Sequence, residues 1–252
     1  MRRIQRLPLS DTAAQYLEDR QTHANAQREQ GTLDIEARWK DARQTDKISA
    51  PHHSIFSTLR QMAGPAQRCM YCSDSLGSDI EHFWPKTPYP EQAFHWPNLL
   101  LCCARCGRLK GDRFPLDANG HPLLINPSRE DPWCHLDLDP EVGTLLPKAI
   151  GDGASAAALK GQETVRLFQL TAEAVQDGHR RTFRHLQRCV ADFLAAPDTL
   201  DHFWQNLQDQ DVRGLLPWCW GDIGRTLAPF SELHQNHPEV WAEVSNRLNS
   251  AL

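Results

Sequence analysis

Apolar residues recur at helical spacing in the N-terminal stretch and again in the C-terminal part. Ala14, Tyr16 and Leu17 lie on one side of a segment that Ser10 or Asp11 can cap, which predicts a helix to about Arg28. Trp39 centres a second helix, from Ile35 to Ala42. A third is expected to start near Pro51, pass through Ile55, Leu59 and Met62, and stop at Gly64-Pro65. The periodicity returns after Gly153. Thr171 is placed to cap a long helix to about Ala196, with Val175, Phe183, Leu186, Val190 and Leu194 near helical spacing. Further helices are expected from Leu200 to Leu207 and from Pro238 to Leu248, the latter with proline in its first turn.

Between these regions, from Cys69 to about Pro147, the pattern breaks. This stretch is rich in proline and holds six of the eight cysteines. Such texture predicts loops and short strands pinned by something other than a large core, with one strand at Leu123–Asn126 ending at Pro127. The expected organisation is a helical segment over 1–65, a loop-rich core over 66–150 and a helical region over 151–252.

Composition narrows the class. Of 252 residues, 40% are hydrophobic and 23% charged, which excludes a disordered chain or a coiled coil. No apolar run is long enough to predict a membrane-spanning helix. Met1–Ser10 carries three arginines and no apolar stretch, so the expectation is no secretory signal and a reducing cytoplasm. There, cysteines are thiols or metal ligands. The net charge of −5 argues against a globally basic nucleic-acid binder. Two local clusters run the other way. One is Arg105, Arg108, Lys110 and Arg113. The other is Arg180, Arg181, Arg184 and Arg188, read as either a solvated helix face or a contact for phosphate or an acidic partner.

The cysteines come in a pattern. Cys69-Met70-Tyr71-Cys72 and Cys103-Ala104-Arg105-Cys106 are two Cys-x-x-Cys knuckles, separated by residues 73–102. Each knuckle can supply two thiolates to one tetrahedral zinc, a closed and therefore structural site. A redox pair or buried structural cysteines are the alternatives. Cys102 adjoins the second knuckle, but the spacing favours Cys103. Between the knuckles lies Asp79-Ile80-Glu81-His82-Phe83-Trp84-Pro85-Lys86, and Trp96-Pro97-Asn98-Leu99-Leu100-Leu101 leads into the second knuckle. A Glu-His dipeptide alone is a weak signal. Phe83, Trp84, Phe94 and Trp96 read as packing beneath the knuckles, and Trp133, Cys134 and His135 as a structural turn. Trp218, Trp220 and Trp241 read equally well as core or as an interface.

The order Cys-x-x-Cys, Glu-His, Asn-Leu, Cys-x-x-Cys, Lys resembles the HNH endonuclease family, in particular the HNH proteins of Septu-type and related retron anti-phage systems. The matching segments lie between Arg68 and Pro132 and make up about a quarter of the chain. The resemblance implies a mainly α, α+β fold around a zinc-clipped ββα-metal core at about 66–115. It implies His82 as general base and Glu81 as ligand of a catalytic Mg²⁺ or Mn²⁺. Asn98 would stiffen the loop that orients His82. Lys110 or Arg108 would hold phosphate, within a nucleic-acid-binding cluster that includes Arg105 and Arg113. It further implies cleavage of nucleic acid, DNA before RNA, and an ABC-type ATPase partner in a hetero-oligomer; the chain has no GxxxxGK[ST] of its own, so any ATP dependence is expected to come from that partner. One position departs from the family. Gly107 stands where such proteins carry Asn or His as a second metal ligand, leaving Asp112 or Asn126 as candidates. The alternatives are an RNA-cleaving effector, such as one acting on transfer RNA, and a zinc-stabilised binding or scaffold subunit without turnover.

Overall fold

Ser10 takes extended backbone and turns the chain into helix α1 (Asp11–Glu29). Asp34 caps α2 (Ile35–Arg43) by accepting from the Ala37 amide. A single turn, α3 (Asp46–Ser49), follows. Helix α4 (Ile55–Met62) starts later than its periodicity predicts. Ser54 and Ser57 form a reciprocal capping box there, and residues 51–53 stay outside the helix. The computed structural model describes residues 1–148 and 155–250. The expected boundary at 150 and the restart at Gly153 therefore lie outside the described residues.

The chain divides into two compact units, Ile4–Arg129 and Glu130–Leu252 with Met1–Arg3. In the first, β1 (Asp79–His82) pairs antiparallel with β2 (Leu99–Cys102), Asp79 opposite Cys102 and His82 opposite Leu99. Every residue of β2 is buried, and α4 packs against it. Cys103 then caps α5 (Ala104–Lys110), its sulfur accepting from the Cys106 amide. This is the ββα order expected from the sequence. Around it, buried Gln21 of α1 accepts from the Phe94 amide and donates to the Pro90 carbonyl, which ties α1 to the loop between the strands. The expected strand at Leu123–Asn126 is not formed. Leu124, Ile125 and Asn126 are buried, but Pro122 and Pro127 lack the amide hydrogens a ladder needs, and only an isolated Leu116–Pro122 bridge appears.

In the second unit a turn at Pro132–Cys134 buries Trp133, whose indole donates to the Gly214 carbonyl. A hairpin of β3 (Leu136–Asp139) and β4 (Thr144–Pro147) follows, closed by Gly143 at φ +83. Helix α6 (Ala156–Phe168) lies on β4. The long helix α7 (Glu173–Ala195) begins after Ala172, not Thr171, and has no side-chain cap. Val175, Phe183, Leu186 and Val190 face inward as the periodicity predicts. Helices α8 (Leu200–Gln210), α9 (Leu216–Cys219), α10 (Phe230–Asn236) and α11 (Pro238–Ser250) complete the unit. Trp218, Trp220 and Trp241 are all buried, Trp220 stacked on Trp241, so these tryptophans are core. On α7, Arg180 pairs with Asp177, while Arg181, Arg184 and Arg188 are exposed. Among the described residues, no helix is long and apolar enough to cross a membrane.

Candidate functional site

The two knuckles converge. Cys69, Cys72, Cys103 and Cys106 are all buried, and their sulfurs lie within 4.8 Å of one another. Cys72 Sγ and Cys103 Sγ are 3.9 Å apart. A tetrahedral zinc with bonds near 2.3 Å needs sulfurs about 3.8 Å apart, so the cluster fits that ion. Contacts from Cys106, then Cys69 and Cys72, hold the Cys103 thiol far below its usual range, and the contact with Cys103 first of all pushes Cys106 up. Cys102 lies outside the cluster. Burial and then Glu81 push its thiol up, so it stays protonated.

Glu81 and His82 sit on β1, whose partner β2 runs directly into the second knuckle. The Glu81 oxygens are in different situations. Oε1 accepts from Lys110 Nζ at 3.0 Å and from the His82 amide at 3.1 Å. Oε2 lies 3.4 Å from the point where a Cβ on Gly107 would stand. Lys110 is fully buried and also donates to the His82 carbonyl at 2.6 Å. Burial pushes the Glu81 carboxyl up and the Lys110 ammonium down, against their mutual attraction.

His82 is 5% exposed, its ring edge-on to Trp39 at 4.4 Å between centroids. Its Nε2 lies 2.9 Å from the Ala93 carbonyl oxygen. A carbonyl can only accept, so Nε2 carries the proton and Nδ1 is the lone-pair nitrogen. Burial, and then Lys86, push the imidazolium down to about 3, so the ring is neutral at physiological pH. His82, Glu81, Gly107 and Arg108 together line a cleft of about 650 Å³. Helix α2 lines it as well, through Glu36, Trp39, Lys40 and Arg43.

Asn98 does not line this cleft. It is buried, its Oδ1 accepts from the Trp84 amide at 2.7 Å, and its Nδ2 donates to the carbonyls of Trp84 and Gln92. It thus ties the chain just after His82 to the loop before β2.

The chain is similar to Septu protein PtuB. To the PtuB of Bacillus thuringiensis it is 36% identical over 76 residues, 28% of each chain. To that of Bacillus mycoides (strain KBAB4) it is 24% identical over 190 residues, 64% of this chain and 61% of the relative. The matched regions thus span less than two thirds of either PtuB. No family model and no solved structure matches the chain.

Measured against the sequence, the fold brings the four knuckle cysteines into one cluster and puts Glu81 and His82 in one cleft. It separates the basic residues. Lys110, expected at phosphate, is buried in the ion pair with Glu81. Arg108 lines the cleft, and Arg113 is exposed and donates to the carbonyls of Lys110 and Arg108. Arg105 is half-exposed on α5. Asp112 lines the cleft, whereas Asn126 accepts from Ser128 and is buried. The sequence reading missed α2 altogether as part of the site. Its only signal was a short cationic helix carrying one tryptophan.

Proposed function

We propose that the chain is the HNH-type nuclease subunit of a Septu-like anti-phage system and hydrolyses phosphodiester bonds of nucleic acid, DNA before RNA. One observation carries this reading: the Ala93 carbonyl fixes the proton on Nε2 of His82, leaving Nδ1 as a neutral base in a cleft that also holds a carboxylate. In this reading Nδ1 takes a proton from the water that attacks phosphorus. Asn98 and Trp39 position the ring. A hard divalent ion commonly has one or two carboxylate ligands, with water and substrate phosphate completing the shell. Glu81 Oε2 fits as such a ligand, and Mg²⁺ or Mn²⁺ there would stabilise charge on the phosphate. Lys110 holds Glu81 and the His82 carbonyl in place. ATP dependence would enter through an ABC-type ATPase partner, and the cytoplasm is the compartment this role requires.

The test is plasmid nicking by the zinc-loaded chain with Mg²⁺, Mn²⁺ or neither, with and without the proposed ATPase partner. A transfer RNA arm runs in parallel. Breaks that require the divalent ion and disappear in His82→Ala, at unchanged zinc content, support the proposal. Gly107 favours a second reading, a scaffold subunit without turnover, because it offers no side chain beside Glu81 Oε2. Phage protection that survives His82→Ala selects that reading.

A further inference from the structure

Three residues on one face of α2 meet three points along β1 and the loop beyond it, in opposite order. Glu36 pairs with Lys86 at 2.9 Å, Trp39 meets the His82 ring, and Arg43 pairs with Asp79 at 2.9 Å. Glu36 also accepts from Thr87 Oγ1. The two ion pairs therefore stand on either side of the Glu81–His82 pair, with about 10 Å of helix axis between residues 36 and 43. All four charged residues line the cleft.

The ion pairs are partly exposed, with 48% of the Arg43 side chain and 20% of the Lys86 side chain accessible. Pairs of this kind contribute little to stability, about 0–1 kcal/mol, so their cations exchange partners at low cost. A phosphate offers arginine the same two-oxygen acceptor that a carboxylate does. Resting on the nuclease reading above, we infer that Arg43 and Lys86 bind the backbone phosphates flanking the one beside His82, and that Asp79 and Glu36 hold these cations in place until phosphate displaces the carboxylates. Helix α2 is then the substrate-binding wall of the site, outside the ββα core.

Binding is measured by fluorescence anisotropy with the full zinc-loaded chain and labelled DNA and RNA oligonucleotides of one sequence. No Mg²⁺ or Mn²⁺ is added, so cleavage does not enter. Arg43→Ala and Lys86→Ala should each weaken binding roughly eight-fold at 0.1 M salt, the value of one released counterion. Each should also make the slope of log K against log salt shallower by about 1. Arg43→Lys should keep the wild-type slope, and Asp79→Asn should tighten binding. The tighter arm identifies the backbone that seats there. The inference is overturned if wild type binds neither oligonucleotide. It is equally overturned if both alanine variants, with zinc content and melting intact, keep the wild-type affinity and slope. Loss of binding in these variants without any cleavage by wild type would sink the nuclease reading and leave the phosphate wall standing. Cleavage with unaltered binding would do the reverse.

Discussion

Lys110→Met isolates the interaction beneath the cleft. The methionine keeps most of the buried stem but removes the ammonium, leaving Glu81 Oε1 and the His82 carbonyl without their shared donor. Lys110 is fully buried and the Glu81 side chain only 15% exposed, so water is a poor replacement for that donor. Removing one partner of a buried pair costs about 3–5 kcal/mol. At about 2–4 °C per kcal/mol, the melting temperature should fall by roughly 10 °C. Glu81→Gln with Lys110→Met removes both charges and should recover most of the loss, because burial opposes the charged form of each partner. Urea denaturation of the zinc-loaded wild type, both single variants and the double variant closes the cycle. A Lys110→Met cost below about 1 kcal/mol, or single-variant costs that simply add in the double, would refute the argument.

Chelation of zinc, or Cys106→Ser, should unfold the ββα region. Structural zinc sites contribute about 10–16 kcal/mol of apparent binding free energy, so metal analysis should return one zinc per chain and its loss should abolish the cooperative melt. Gly107→Ala should stabilise by about 0.5–1 kcal/mol through helix propensity, since the new Cβ meets Cys102 Sγ and Glu81 Oε2 at 3.4 Å. Gly107→Asn should in addition tighten Mn²⁺ binding in an electron paramagnetic resonance titration, whereas Gly107→Ala should not. Gly161→Ala should destabilise by about 1–3 kcal/mol, because its Cβ would stand 2.2 Å from the His135 carbonyl oxygen and force α6 off the hairpin. Calorimetry of the variant checks this.

The cysteine cluster was legible because two Cys-x-x-Cys pairs suit a single tetrahedral metal. The helix starts at Ile35 and Pro238 were legible from the pattern around Trp39 and from the proline itself. The start of α4 was not, because Ser54 and Ser57 are an inconspicuous capping box and Pro51 looked like a stronger signal. The burial of Lys110 was hidden because a lysine in a basic run reads as surface. Only the fold brings Glu81 and the His82 carbonyl to it. The role of α2 was hidden for a related reason. Its partners lie 36 to 50 residues away in sequence, and local periodicity carries no trace of such pairings. The strand at Leu123–Asn126 was misread because an apolar run between prolines buries well without a ladder.

The strand carrying the imidazole is paired along its length with one that runs straight into the second thiolate pair. On the proposed reading, a cell that starved the protein of zinc would leave the cleft unassembled, and metal supply would decide whether a newly made copy is armed.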